Sequence, residues 1–334
     1  MSDLPTTIDH ALEVALRRAL PDVTGIRDLH RLSGGANQET WAFDAERAGG
    51  PLALVLRRTP GGASHPGFGT SVSLATEARV IGLVDQVGVP VPGVRYVLVG
   101  EDALGEGYIM DRIEGETIAR KILRDAEYAA ARPRLARQCG EILGRLQAVP
   151  AADLAALPLG TAAEQLGQYR GIFEQQDEPH PIFDVAFRWL EDRMPTDGEP
   201  RLVHGDFRNG NLLIGADGVR AVLDWELVHR GDAMEDLGWI CVNSWRFGEI
   251  DKPVGGFGSR EDLFAGYEST AGAPVDPERV RFWEVMGSLK WGIMCMMMYR
   301  YYATGLDRSV ERAAIGRRAS EAEIDLLALI YPEG

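Results

Sequence analysis

Short apolar runs separated by turn residues dominate the chain up to about residue 110. These runs are rich in Val, Ile, Leu and Tyr and are bounded by Gly, Pro or Asp, which is typical of β-strands. They read LHRLSGGANQETWAFDA, which holds two runs around a Gly-Gly turn, then PLALVLRR, YVLVG and GYIMDRI. Helical spacing of apolar residues occurs at 8–19 and again around Glu77. The pattern therefore predicts a small strand-rich lobe over residues 1–112.

From Ala119 onward the apolar residues recur mainly at helical spacing. In RLARQCGEILGRLQAV, one predicted helix face carries Leu135, Cys139, Ile142, Leu143 and Leu146. A further helix is predicted to open at Ser320 and Glu323, which have the spacing of a capping box. The second lobe, residues 113–334, is thus predicted to be larger and mainly helical, so the chain as a whole is α+β and bilobed.

One segment, LVHGDFRNGNLLIGADGVRAVLDWE at 202–226, interrupts the helices with strand-forming residues. Its ADG turn predicts an antiparallel hairpin, which returns Asn211 and Asp224 to the same end. Phosphoryl transfer needs a carboxylate near the attacking hydroxyl and oxygen ligands for Mg²⁺ on the nucleotide phosphates. Asp206 is suited to the first role, and Asn211 with Asp224 to the second. The alternative of a metal-dependent hydrolase built on His204 and Asp206 lacks the ligands that such a site needs.

The motifs HGDFRNGNLL, VLDWE and GDAMEDLGW together resemble the aminoglycoside phosphotransferase and choline kinase family of the protein-kinase-like fold. SGGANQETW and VLRR are most similar to the branch found fused to some acyl-CoA dehydrogenases. The resemblance implies a kinase that uses ATP and Mg²⁺, with Asp206 as catalytic base and with Asn211 and Asp224 as metal ligands. It also implies that His204, Asp232 and Asp236 support the catalytic loop.

The resemblance extends to the nucleotide-binding residues of the strand-rich lobe. A loop of Ser33, Gly34 and Gly35 would cover the phosphates. Glu77 would hold the basic residue of the strand, Arg57, near those phosphates. The Asp111 carbonyl and the Ile113 amide would contact the adenine edge, and Met110 would lie behind it.

Arg57 stands where the family commonly has Lys. Arg keeps the charge, but its planar fork is larger than an ammonium group, and the exchange is not automatically neutral. This residue motivates an alternative function, that of a catalytically weak or inactive kinase-like module that binds nucleotide.

The charge composition argues against two classes of binding partner. The chain has 35 basic and 50 acidic residues and a net charge of -15, which disfavours attraction to nucleic acid or to an anionic membrane. Three widely spaced cysteines predict neither a disulfide framework nor a metal site. The first twenty residues lack the pattern of a secretory signal. These features predict a cytoplasmic protein.

The sequence says least about which substrate accepts the phosphoryl group. The resemblance implies a small-molecule hydroxyl substrate, whether an aminoglycoside, an amino alcohol, a sugar or a hydroxyacyl-CoA. Many large apolar residues in the helical lobe fit an apolar or acyl acceptor, but ordinary core packing explains them equally well.

Overall fold

The computed structural model describes residues 8–34, 38–59, 71–176 and 178–332. The chain forms two compact units. The first comprises the chain up to Gly115 together with Arg220–Leu227, and the second comprises Glu116–Val219 and Val228–Gly334. Within the described ranges, every helix is too short or too polar to cross a lipid bilayer.

The first unit is built on a five-stranded antiparallel sheet in the order β1-β2-β3-β5-β4. Its strands are β1 (Val23–Gly34), β2 (Glu39–Arg47), β3 (Leu52–Thr59), β4 (Val94–Val97) and β5 (Glu106–Asp111). Its helices are α1 (Ile8–Ala19) and α2 (Leu74–Gln86), and the side chain of Ser73 caps α2 by accepting from the Thr76 amide.

Alternation along β3 assigns its side chains to the two faces of this sheet. Leu54 and Leu56 are fully buried in a core that includes Leu12 and Leu16 of α1. Arg57 therefore projects from the opposite face, where Glu77 of α2 reaches it. The strand pattern thus separates an apolar core from a charged face.

The second unit is mainly helical. Its helices are α3 (Ala119–Arg124), α4 (Arg132–Leu146), α5 (Ala162–Glu174), α6 (Pro181–Asp192), α7 (Glu235–Trp239), α8 (Arg260–Ala271), α9 (Pro277–Ala303), α10 (Val310–Gly316) and α11 (Ala319–Ile330). Its strands are β6 (Leu159–Gly160), β7 (Arg201–Val203), β8 (Leu212–Gly215) and β10 (His229–Gly231). Strand β9 (Gly218–Val222) pairs with β8, and β6, β10 and β7 form a small sheet in that order.

The face predicted to be apolar on α4 is buried along its whole length. α4 packs closely on α8. Gly140 permits this close approach, since a Cβ added there would lie only 2.0 Å from the carbonyl oxygen of Leu263. The predicted start of the last helix was wrong, since α11 begins at Ala319 and Ser320 lies inside its first turn. The residue that precedes the helix is Arg318, whose side chain makes no capping hydrogen bond.

Candidate active site

The loop between β7 and β8 carries His204, Asp206 and Asn211. Gly205 and Gly210 shape this loop with φ values of 84° and 122°, a region that side-chain-bearing residues rarely adopt. Their sharp turns let one short loop present several polar side chains.

The carboxylate of Asp206 is held by three side-chain donors. Trp239 Nε1 donates to Oδ1 at 2.8 Å, and Asn211 Nδ2 donates to Oδ2 at 2.7 Å. Arg208 Nε lies 3.0 Å from Oδ1 and 3.2 Å from Oδ2. The Asp206 side chain is still 17% exposed. The Asp206 carboxylate is therefore oriented by its donors and still accessible from solvent.

Asn211 has a defined amide orientation. Its Nδ2 donates both to the Asp206 carboxylate and, at 3.0 Å, to the Asp206 carbonyl oxygen. Because both partners are acceptors, the amide nitrogen must face them. The side-chain oxygen of Asn211 is then the atom available to a cation, as a hard oxygen ligand for Mg²⁺ requires.

A buried carboxylate beneath the loop fixes its backbone. Asp236 Oδ2 accepts the His204 amide at 2.7 Å, and Oδ1 accepts the Gly205 amide at 3.0 Å. Burial, reinforced by Glu235, raises the pKa of Asp236 to about 7 against these amide hydrogen bonds. The fully buried His204 accepts the Asp206 amide through Nδ1 at 3.2 Å. Asp236 and His204 therefore set the backbone from which Asp206 projects.

Asp232 braces the neighbouring helices. Its Oδ2 accepts from Arg279 Nε at 2.6 Å and from Trp283 Nε1 at 2.7 Å, and its Oδ1 accepts the Met234 amide at 3.0 Å. All three contacts are to α9 or to the turn that precedes α7, so Asp232 acts on the packing of the helices.

In the first unit, Arg57 lies between two carboxylates. Its Nη2 donates to Asp224 Oδ1 at 2.7 Å, and its Nε lies 3.3 Å from Glu77 Oε2. Although burial opposes its charge, Glu77 and Asp224 raise the pKa of Arg57. Burial raises the pKa of Glu77 to about 7, whereas Arg57 and the hydroxyl of Tyr108, which donates to Glu77 Oε2 at 2.9 Å, oppose this change. Arg57 thus remains a cation, held in place by Glu77 and Asp224.

Asp224 has a strained backbone. Its φ of 65° lies in the left-handed region, which is uncommon for residues other than glycine. Backbone hydrogen bonds secure the segment on both sides, from Val222 to the Pro90 carbonyl at 2.8 Å and from Val72 to the Glu226 carbonyl at 2.9 Å. Such strain is typical of functional positions. Asp224 belongs to the first unit and Asp206 and Asn211 to the second, so their convergence on one metal ion stays a prediction.

The other predicted nucleotide-binding residues lie at or just beyond strand ends. Ser33 and Gly34 close β1, paired with Thr40 and Glu39 of β2, whereas Gly35 lies outside the described residues. Met110 is half-buried in β5. The Asp111 amide donates to the Gly93 carbonyl at 2.9 Å, and the Arg112 amide donates to the Ala53 carbonyl at 3.0 Å. Among the described residues the Ile113 amide has no hydrogen-bond partner, which leaves a donor at the predicted adenine edge.

Sequence reasoning missed two residues that contact Asp206, namely Arg208 and Trp239. Arg208 follows Asp206 by two positions, and its guanidinium lies 4.7 Å from the ring centroid of Trp245. Trp239 follows Asp236 by three positions on α7, so both side chains emerge on the same face of the helix toward the loop. That spacing was the signal available in GDAMEDLGW.

Comparison with known sequences identifies the family. The family model described as the phosphotransferase enzyme family (APH) matches residues 28–283. Mouse acyl-CoA dehydrogenase family member 10 is 29% identical over 203 residues, covering 57% of this chain and 18% of that protein. Chicken acyl-CoA dehydrogenase family member 11 is 26% identical over 245 residues, covering 69% of this chain and 30% of that protein. The chain thus spans less than a third of the length of these relatives, and the predicted resemblance is confirmed.

Solved structures confirm the predicted α+β, protein-kinase-like fold. A Ralstonia eutropha candidate aminoglycoside phosphotransferase has a TM-score of 0.72 and 21% identity, covering 96% of this chain and 97% of that chain. A thermostable mutant of aminoglycoside phosphotransferase APH(4)-Ia, in a ternary complex with AMP-PNP and hygromycin B, has a TM-score of 0.61 and 17% identity. The match covers 96% of this chain and 97% of that chain. Spectinomycin phosphotransferase APH(9)-Ia, in complex with ADP and spectinomycin, has a TM-score of 0.62 and 14% identity. The match covers 98% of this chain and 99% of that chain.

Proposed function

Because the chain belongs to the phosphotransferase enzyme family, matched over residues 28–283, we propose that it is an ATP- and Mg²⁺-dependent kinase acting on a small-molecule hydroxyl. The observation that carries the proposal is the carboxylate of Asp206, oriented by Trp239 and Asn211 yet still accessible. A carboxylate held in this way can orient the acceptor hydroxyl and accept its proton as the γ-phosphoryl group is transferred.

Asn211 and Asp224 would supply the protein oxygens to Mg²⁺. Asn211 directs its side-chain nitrogen to Asp206 and so keeps its oxygen available, and Asp224 gives only Oδ1 to Arg57. No group of three His, Cys, Asp or Glu residues in the described ranges is arranged to hold a metal ion. A site with two protein oxygens fits Mg²⁺, which is bound by one or two carboxylates together with substrate phosphates and water. When bound, the ion would neutralise charge on the phosphates.

The remaining predicted residues would hold the nucleotide. Arg57 would contact phosphate oxygens with the N–H groups that Glu77 and Asp224 leave available, and it has five such donors in total. Ser33, Gly34 and Gly35 would supply backbone amides to the phosphates. The Ile113 amide, without a partner among the described residues, would donate to the adenine edge, beside the Asp111 carbonyl and the Met110 side chain.

One observation favours the alternative, a nucleotide-binding module with weak or no catalysis. Arg57 lies within 4.0 Å of three carboxylates, those of Glu77, Asp224 and Glu226. These anions compete with phosphate for the same guanidinium group. Nucleotide binding without acceptor-stimulated turnover would favour this alternative.

We propose the same range of acceptors as the resemblance implies, namely aminoglycosides, amino alcohols, sugars and hydroxyacyl-CoAs. Two of the solved neighbours are complexes with hygromycin B and with spectinomycin, and the sequence relatives are named as acyl-CoA dehydrogenases. We also propose a cytoplasmic location, which the three buried free thiols Cys139, Cys241 and Cys295 support.

The proposal is tested by measuring ADP release from purified protein with Mg-ATP against a panel of these acceptors. The kinase predicts release that depends on one acceptor class and phosphate recovered on its hydroxyl. Isothermal titration calorimetry measures Mg-ATP binding to the same protein. It distinguishes an inactive module that binds nucleotide from a protein that does not bind it.

A further inference from the structure

A lysine contacts the same indole ring that donates a hydrogen bond to Asp206. Lys290 of α9 places its Nζ 4.7 Å from the ring centroid of Trp239 and 5.9 Å from that of Tyr169. The Nε1 atom of the same Trp239 donates to Asp206 Oδ1 at 2.8 Å. Since these two contacts and one indole ring separate them, the ammonium lies within about 10 Å of the carboxylate.

The ammonium of Lys290 is charged and lacks a direct anionic partner in the described part of the chain. Its contacts there are the two aromatic faces, and no carboxylate oxygen lies within 4.0 Å. Burial lowers the pKa of Lys290, but Tyr169, Glu235 and Asp206 outweigh it and raise the pKa above its ordinary value. Lys290 therefore stays charged, although the carboxylates that stabilise its charge are not its direct partners.

The nearby carboxylates are already engaged by other groups. Glu235 accepts from Gln165 at 2.9 Å and lies 3.1 Å from the imidazole of His229. Asp236 accepts the two loop amides described above. The ammonium of Lys290 is therefore the group in this neighbourhood that keeps donors for an incoming ligand.

A small cavity joins Lys290 to the catalytic loop. Its volume is about 10 Å³, and its lining includes Lys290, Trp239, Glu235 and Gly205, the residue before Asp206. This volume accommodates one water-sized group, such as a single carboxylate or phosphate oxygen.

We propose that Lys290 is a specificity-determining residue. It binds an anionic group, a carboxylate or a phosphate, on the acceptor alcohol whose hydroxyl is deprotonated by Asp206. This inference rests on the proposed kinase function. The distance between the two side chains suits an acceptor whose hydroxyl and anion are separated by a few carbon atoms. The same positive charge disfavours polycationic acceptors, since like charges repel at this range in a poorly hydrated site.

Calorimetric binding tests the inference without requiring turnover. The probes are straight-chain hydroxycarboxylates with the hydroxyl on successive carbons, the primary amide of each, and the matching hydroxyalkyl phosphates. At least one anionic probe should bind wild-type protein roughly tenfold or more tightly than its amide, as expected for a charge-assisted hydrogen bond. The carboxylate and phosphate series distinguish the two sources of the anion. Equal binding of acids, phosphates and amides, or no binding of any anionic probe, would overturn the proposal.

Substitution then assigns the preference to one residue. Lys290→Met should abolish the discrimination between acid and amide, and Lys290→Gln serves the same purpose if the Met variant does not fold. Lys252→Met, an exposed lysine on the same unit paired with Glu249, is the matched control and should keep the preference. Retention of the preference by a folded Lys290 variant would refute the role. Mg-ATP binding and turnover with neutral acceptors, measured on the same preparation, report separately on the kinase function.

Discussion

Trp239 donates its indole N–H to the catalytic-loop carboxylate of Asp206 at 2.8 Å, from a helix that also supplies Asp236 to the loop backbone. One short helix therefore fixes both the backbone and the carboxylate orientation of the loop. This arrangement makes Trp239 a positioning residue for the proposed reaction.

Trp239→Phe removes the N–H but keeps an aromatic ring. Loss of a hydrogen bond to a charged group should lower kcat roughly tenfold to a hundredfold and leave the nucleotide KM nearly unchanged. Steady-state kinetics with the best acceptor provide the measurement. Trp291→Phe is the matched control, because Trp291 Nε1 is buried without a hydrogen-bond partner among the described residues. Equal loss of kcat in both variants would assign the effect to packing.

Arg57→Met should destabilise the protein strongly. Above pH 7, where Glu77 is ionised, the change leaves this completely buried carboxylate without its cation, and breaking a buried pair in this way costs about 3 to 5 kcal/mol. Denaturant unfolding measures the change in free energy. Arg17→Met, which removes an exposed pair with Glu13, should cost less than about 1 kcal/mol. A loss at Arg57 no larger than at Arg17 would show that the buried pair contributes little to folding.

Glu77 gives unfolding a specific pH dependence. Burial raises its pKa from the ordinary value of 4.5 to about 7 in the folded protein, so the folded state binds more protons between these two values. Stability should therefore fall as pH rises from about 4.5 to 7, at up to about 1.4 kcal/mol per pH unit from this group. In Glu77→Gln this contribution disappears, so the stability of the variant relative to wild type should rise over the same interval. Urea unfolding of both proteins at several pH values measures the difference, and a difference independent of pH would contradict the assignment.

Asp224→Asn should weaken the response to Mg²⁺ with little effect on folding. Asn tolerates the left-handed backbone found at Asp224, so the change removes charge without adding strain. The Mg²⁺ concentration required for half-maximal nucleotide binding should rise roughly tenfold or more, as loss of a charged ligand implies. Glu226→Gln, two residues away and also near Arg57, is the control. An unchanged Mg²⁺ requirement in Asp224→Asn would remove this residue from the metal site.

The sequence predicted the strand-rich and helical parts because their apolar spacings differ over long stretches. The helix face from Leu135 to Leu146 followed directly from this spacing. The start of α11 was not predicted correctly from Ser320, because the helix begins at Ala319 without a side-chain cap and the local capping pattern is not used.

Site prediction shows a similar division. The proximity of Asp206 and Asn211 could be predicted from their spacing, because a short loop limits the distance between its side chains. The contacts of Trp239 and Lys290 depend on tertiary packing of α7 and α9, which no local pattern encodes. The burial that raises the pKa of Glu77 is equally a product of tertiary structure.

Phosphoryl transfer by Asp206→Asn tests the central claim most directly. With radiolabelled Mg-ATP and the acceptor found in the panel, wild-type protein should transfer the γ-phosphate to the acceptor hydroxyl. The variant should bind Mg-ATP with similar affinity but transfer phosphate about a hundredfold more slowly or worse, as loss of a general base implies. Undiminished transfer by a folded Asp206→Asn protein would contradict the assignment of this carboxylate as the catalytic base.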